Sequence, residues 1–202
     1  MNNREQNYRN LLSAGAASIS LQLLLNLPCA AETTINFKPE TGKEKFSITN
    51  NGNRGSFDTT SQKTTFFDKG NSKLEINTTK GLIGYVRHKT PESWKIEDPT
   101  QQKKYVLKKE EDGHYKLKTG DEKELYKVKP EAYGFKVEDA TGKLLYRVMK
   151  EPDGTILKND KDKIVFSTNS AISPVAMACL GFDSLQQEEK FALAYAVNFM
   201  GN

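Results

Sequence analysis

Phe191-Ala-Leu-Ala-Tyr-Ala-Val-Asn-Phe-Met200 carries one polar residue, Asn198, in ten. A helix apolar on every side has to be surrounded by protein or lipid. Its larger side chains, Phe191, Leu193, Tyr195, Val197, Phe199 and Met200, are the expected core of such a helix. Everything upstream is rich in Lys and Glu and reads as short alternating strands. The pattern therefore predicts a β-rich shell that buries its own C-terminal helix.

Working backward from this run, Ser184 with Gln187 fits a capping box, and Glu188 and Glu189 suit the first turn of a helix dipole. A helix over 184–200 follows. Ser173-Pro174 reads as an N-cap with proline at the first helical position, opening a shorter helix over 173–181 that stops at Gly181.

From Lys73 onward a repeat supplies the shell. Leu74-Glu-Ile76, Trp94-Lys-Ile96, Tyr115-Lys-Leu117 and Phe135-Lys-Val137 are apolar-charged-apolar triplets 20, 21 and 20 residues apart, and Ile156-Leu157 continues the series. Polar turns fall at residues 98–101, 119–121, 139–142 and 159–162. Second strands follow at Leu82–Tyr85, Tyr105–Leu107, Tyr126–Val128, Leu144–Val148 and Ile164–Phe166. Strict alternation around such turns is a hairpin signal. Along one hairpin Phe135, Val137, Tyr146 and Val148 face inward, and Lys136, Glu138 and Arg147 face water. Five hairpins make about ten strands. Propeller blades need twice the length, a solenoid gives the apolar helix no place, and closure removes the exposed edges. The fold class expected is mainly β with a C-terminal helix: a closed antiparallel β-barrel of about twelve strands around a central hydrophobic α-helix.

Residues 32–72 are rich in Thr, Asn, Gly and Ser, and read as short strands near Phe46–Ile48 and Thr64–Phe67 joined by linker or loops, with Asn50–Gly55 the loosest piece. Residues 1–31 are a different object. A basic start with Arg4 and Arg9, an apolar run over 11–27 and Pro28-Cys-Ala-Ala-Glu32 describe a secretory signal peptide cleaved after Ala31. This predicts a secreted or periplasmic protein. Two alternatives stay open: an uncleaved anchor over residues 11–27, though that run is short for a membrane span, and lipidation of Cys29. Asn26-Leu27-Pro28 is a poor lipobox, because the residue before the cysteine should be small.

Composition excludes more than it assigns. The 202 residues hold 30 basic and 26 acidic side chains, interleaved, for a net charge of +4. That is a mixed solvated surface and not a nucleic-acid-binding tract. Removal of the leader would leave Cys179 without a partner, and its setting in Val175-Ala-Met-Ala-Cys-Leu180 reads as a small buried hydrophobe. His88 and His114 stand 26 residues apart with no metal-like spacing. No Ser lies in a Gly-x-Ser-x-Gly elbow, and the hairpin glycines form no phosphate loop. Trp94, the single tryptophan, reads as core.

These features together resemble the tubby C-terminal-like superfamily, which includes tubby proteins, LURP-one-related proteins and phospholipid scramblases. The residues that carry the resemblance are Phe135-Lys-Val-Glu-Asp-Ala-Thr-Gly-Lys-Leu-Leu-Tyr-Arg-Val148, Ser173-Pro-Val-Ala-Met-Ala-Cys-Leu-Gly-Phe-Asp183 and Glu189-Lys-Phe-Ala-Leu-Ala-Tyr-Ala-Val-Asn-Phe-Met200. It covers roughly residues 73–200 and implies the same helix-centred barrel. No functional residue of the superfamily carries over position by position. An export signal also departs from its familiar intracellular members.

One charge cluster points to a ligand. Lys95, Lys103, Lys104, Lys108, Lys116, Lys118, Lys127 and Lys129, with Lys109 beside them, crowd the middle hairpins. If they share a face they make a positive strip for anionic lipid or another envelope polyanion, although Glu97, Glu110, Glu111, Glu122 and Glu124 dilute it. The expected function is an exported, non-enzymatic, monomeric barrel that binds such a surface, with no cofactor and no metal. The alternative is a structural module of the cell envelope that binds an envelope protein, and the remote one a hydrolase-type enzyme.

Overall fold

The computed structural model describes residues 32–40 and 45–200. Residues 1–31 lie outside the described residues, and with them the expected leader peptide, Cys29 and the expected cleavage position Ala31.

Fourteen strands form one closed antiparallel barrel: β1 (Thr33–Pro39), β2 (Phe46–Asn51), β3 (Arg54–Asp58), β4 (Lys63–Asp68), β5 (Lys73–Thr78), β6 (Gly81–Thr90), β7 (Ser93–Glu97), β8 (Lys103–Lys109), β9 (Tyr115–Thr119), β10 (Glu124–Glu131), β11 (Gly134–Asp139), β12 (Leu144–Glu151), β13 (Gly154–Asn159) and β14 (Ile164–Thr168). Each strand pairs with its neighbours in sequence, and β1 meets β14 through Lys38↔Ser167 and Pro39↔Phe166. Two helices follow, α1 (Pro174–Cys179) and α2 (Gln187–Phe199).

The count corrects the expectation of about twelve. The ten strands of the repeat are all present, and residues 32–72 add four where two were expected. The extra strands are β1 and β3. In β1 only Ile35 and Phe37 are apolar and buried, and in β3 Phe57 alone is large and apolar, with Gly55 at the other inward position. Alternation spelled with Thr and Asn, as in β1, is quieter than alternation spelled with Lys and Glu, and one large residue, as in β3, makes no alternation at all. Asn50–Gly55, expected to be loose, is a tight hairpin: Asn51 pairs with Arg54, and Gly52 takes the left-handed φ of 61° that such a turn requires.

One turn recurs around one rim. At Asp98, Thr119, Asp139 and Asn159 the carbonyl accepts the N–H three residues on at 2.9, 3.1, 3.0 and 3.1 Å. That fourth residue, Gln101, Glu122, Gly142 or Asp162, has φ between 59° and 86°. This is a type I turn followed by a left-handed residue, the usual three-residue hairpin. Asp98, Asp139 and Asn159 each accept two further backbone N–H bonds at 2.8–3.0 Å through their Oδ1, the Asx chemistry that favours these residues in turns.

Inward positions are aliphatic or aromatic on almost every strand: Ile35, Ile48, Phe57, Phe66, Leu74, Val86, Ile96, Leu107, Leu117, Val128, Val137, Val148 and Leu157 are all fully buried. They belong to one core with the helices. α2 packs against β2, β3, β5, β6 and β7, and α1 against β11, β12 and β13. Fifteen of the thirty-three buried hydrophobic residues described lie in Val175–Val197, so the C-terminal segment supplies nearly half of that core. Phe191 stacks on Phe57 with ring centroids 3.6 Å apart and is ringed by Phe37, Phe46 and Phe166. Leu193, Tyr195 and Val197 are buried with it, whereas Phe199 and Met200 are half-buried.

The helix ends are fixed by specific contacts. The N-cap of α2 is Gln186 and not Ser184: Glu189 at N3 reaches back to the Gln186 N–H at 3.0 Å. Ser184 is instead held by wall tyrosines. α1 opens on Ser173 with Pro174 at N1, as its sequence predicts. Asn198, the lone polar residue of the apolar run, accepts the Ser173 N–H at 2.8 Å and so ties the end of α2 to the start of α1. Tyr195 donates to Asn50 at 2.7 Å, and its ring lies where a Cβ on Gly55 would stand 2.3 Å from it, so only glycine fits there.

Candidate anion-binding face

With Leu107, Leu117, Val128 and Val137 turned inward, alternation sends their strand neighbours outward. Register then aligns the outward residues in rows across the barrel. One row runs Lys73–Arg87–Lys95–Val106–Lys118–Glu124, and another Lys108–Lys116–Lys127–Glu138. Like charges directly opposite destabilise a sheet, and diagonal carboxylates offset them here. Lys116 meets Glu124 at 3.0 Å, Lys127 meets Glu124 at 3.8 Å, and Lys129 and Lys136 close on Glu138 at 2.6 and 3.2 Å.

Most of the eight predicted lysines are therefore paired. Lys103 and Lys118 share Glu122 at 2.7 and 3.9 Å. Lys104 binds Glu189 of α2, so it fastens a helix to the rim. Only Lys95 and Lys108 of the set have no carboxylate at ion-pair distance among the described residues. Lys109, beside the set, holds Glu92 at 2.9 Å. Across Ser93–Asp139 eleven lysines face eleven carboxylates, so the middle hairpins carry no net charge. The positive excess lies one hairpin earlier, where Lys73, Lys80, Arg87 and Lys89 stand against Glu75 and Glu92.

Electrostatics mark the same place. The Lys95 amine is held below the usual lysine range, first by partial burial and then by Lys89 and Lys103 nearby. Lys116 and Lys136 are pushed up by their carboxylate partners, and Glu122 is pulled down by Lys103. Glu138 was expected to face water, yet it is 7% exposed. Burial raises its carboxyl, but Lys129 and Lys136 outweigh that and hold it low. Arg87 binds Glu97 at 2.6 Å and Gln101 at 2.8 Å, and Lys73 lies 3.7 Å over the Tyr85 ring. Arg87, Lys89 and Lys73 were missed in the sequence. Their signal was parity: Arg87 and Lys89 alternate with the inward Val86.

A tyrosine series was also missed. Tyr105 donates to the Ser184 carbonyl at 3.1 Å, Tyr126 accepts the Ser184 N–H at 2.9 Å, and Tyr146 donates to Asp183 at 2.6 Å. Lys190 adds 2.9 Å to Asp183. Three repeats thus present the same phenol to one interhelical loop. Their recurrence at 21 and 20 residues was the readable signal.

The other candidates do not converge. His88 stacks on Trp94 at 5.4 Å, and the buried Nε2 of His88 and Nε1 of Trp94 have no hydrogen-bond partner. His114 lies 3.0 Å from Asp112 on an exposed turn. Cys179 is fully buried, and burial pushes its thiol well up. Among the described residues no group of three His, Cys, Asp or Glu is placed to hold a metal ion, and no helix is long and apolar enough to cross a membrane. No protein-family model matches the chain, and no curated protein matches it.

Proposed function

We propose that this chain is a non-enzymatic binding module of the tubby-like type, in which α2 runs through the barrel as a central helix and the outer wall binds an anionic surface. The observation that carries the binding reading is the row Lys73–Arg87–Lys95 with Lys89 beside it, where adjacent strands present cations to solvent and Lys95 has no carboxylate partner among the described residues. The Lys95 amine is held low first by partial burial and then by Lys89 and Lys103, and an anion placed there opposes both. The ligand class is an anionic lipid head group or another envelope polyanion, met by an exported protein. The central-helix reading is supported by the two helices packing on opposite arcs of strands within one core.

Liposome co-sedimentation of residues 32–202, the chain expected after removal of the leader, tests the binding. Anionic vesicles should retain it and neutral ones should not, with retention falling as salt rises. Lys95→Glu with Lys89→Glu should abolish it. Equal behaviour with both vesicle types refutes the lipid reading. A second reading, a structural or protein-interaction module of the envelope, is favoured by the neutral, largely carboxylate-paired ladder over β7–β11, and it predicts that no vesicle is bound at any salt. For the helix, deletion of residues 191–202 should leave a hollow, insoluble wall. Retained solubility and sheet content would defeat it.

A further inference from the structure

The outer wall is chemically divided: the cationic row lies over β5–β7, and hydroxyl and amide side chains line the face over β1–β5. Over β1–β5 register aligns Thr34, Thr49, Ser56, Thr65 and Asn77 in a single outward row. Neighbouring strands stand about 4.8 Å apart, so this is a regular array of hydroxyl and amide groups with no charge in it. Thr34 and Thr49 are already within 3.3 Å of one another. The rows on either side of it are Asn51–Arg54–Phe67 and Ser47–Asp58–Lys63.

These rows enclose an open groove of about 370 Å³. Phe67 offers a half-buried aromatic face in it, with the Arg54 guanidinium 5.3 Å from the ring centroid. Asp58 accepts from Ser56 at 2.6 Å and lies 3.4 Å from Lys63, which keeps its carboxylate oriented along the groove. Glu32 and Asp58 balance Arg54 and Lys63, so the groove has no net charge with which to select an anion.

We propose that this groove is a carbohydrate site that binds a neutral glycan chain. The chemistry of a pyranose matches it: one face of C–H groups packs on an aromatic ring, and the hydroxyls at its edge need both fork-shaped donors and carboxylate acceptors, which Arg54 and Asp58 supply. The volume lies at the small end of the ~300–1,000 Å³ range of small-molecule sites. It therefore takes one or two sugar rings, and the rest of the chain runs along the hydroxyl row. The groove is lined by β2–β4 and the cationic row lies over β5–β7, the two differ in charge, and neither reading depends on the other.

The test is a titration of the isotope-labelled full chain with neutral hexasaccharides of glucose (α- and β-linked), mannose and N-acetylglucosamine, read by amide chemical shifts. At least one should shift amides of β2–β4 at millimolar concentration. Phe67→Ala should weaken that binding at least tenfold, Asp58→Asn should weaken it as well, and Lys95→Glu should leave it unchanged. Polyphosphate should not shift these amides. The proposal is overturned if none of the hexasaccharides shifts β2–β4, or if Phe67→Ala binds as tightly as the parent. Asp58→Asn guards against an artefact of folding, since both variants must keep the parent's shifts elsewhere.

Discussion

Phe191→Ala perturbs the place where wall and helix meet most closely. The Phe191 side chain is 2% exposed, stacked on Phe57 at 3.6 Å and set edge-on to Phe37 at 5.8 Å and Phe166 at 6.2 Å. Truncation removes roughly 100 Å³, which at about 24 cal/mol per Å³ of unrelaxed cavity costs about 2 kcal/mol, and the lost transfer energy brings the total to about 4 kcal/mol. A chain of this size loses about 2 kcal/mol of stability per molar urea, so the midpoint should fall by roughly 2 M. Urea unfolding followed by far-UV circular dichroism and by the single tryptophan, Trp94, reads this directly. Pairing it with Phe57→Ala in a double-mutant cycle should return a coupling of about 1 kcal/mol. A midpoint shift under about 0.5 M, with the slope unchanged, would refute the reasoning, because it would mean that Phe191 packs against little.

Four further outcomes follow from named contacts. Gly55→Ala must displace the Tyr195 ring from a 2.3 Å overlap; overpacking of this kind costs about 1–3 kcal/mol, read as a lowered urea midpoint. Glu138→Gln removes charge-assisted bonds from Lys129 and Lys136 and should cost about 2 kcal/mol. Because the folded Glu138 carboxyl is held low, its contribution is fully present above the unfolded carboxylate pKa and is lost as pH falls through the folded one; Asp98 and Asp139, held low first by Thr100 and Thr141, lose theirs in the same direction. Acid titration of the melting temperature should therefore show a loss that Glu138→Gln reduces. Lys95, with its amine held low, has a larger neutral fraction near pH 8 than an ordinary lysine and should acylate faster than Lys150 by peptide mass spectrometry, and Lys89→Gln should slow it.

The barrel was legible because its repeat is loud. From Leu74 to Phe166 Lys and Glu alternate with large apolar residues at a fixed period, and every strand expected there formed. The two unread strands carry little contrast with a loop for different reasons: β1 alternates Thr34 and Asn36 with its two apolar residues, and β3 has a single large inward residue, Phe57, with Gly55 as the other. The capping box was misplaced by two residues because Ser184 looks like an N-cap, whereas its backbone is committed to Tyr126 and Tyr105 from 58 and 79 residues away. Local pattern cannot carry such a commitment. The lysines were found but their pairing was not: that Lys104 reaches Glu189, 85 residues away, depends on the barrel's closure. Phe67 and Arg54 escaped notice for the same reason, since they become neighbours only once β3 and β4 are in register.

The order of the elements has a consequence in time. Every wall strand precedes both helices in the chain, and the seam joins Lys38 to Ser167. Synthesis proceeds at about 5–20 residues per second, so a complete set of wall strands exists for seconds before the segment that provides nearly half of the buried hydrophobic residues. During that interval the strands hold unpaired edges and uncovered apolar faces, the state most open to association with other chains. Closure across so long a separation is also slow. The Lys–Glu ladder thereby acquires a second use: it keeps the waiting strands apart in solution until Phe191 and its neighbours arrive, and variants that thin it should show their effect in folding yield before they show it in the stability of the finished barrel.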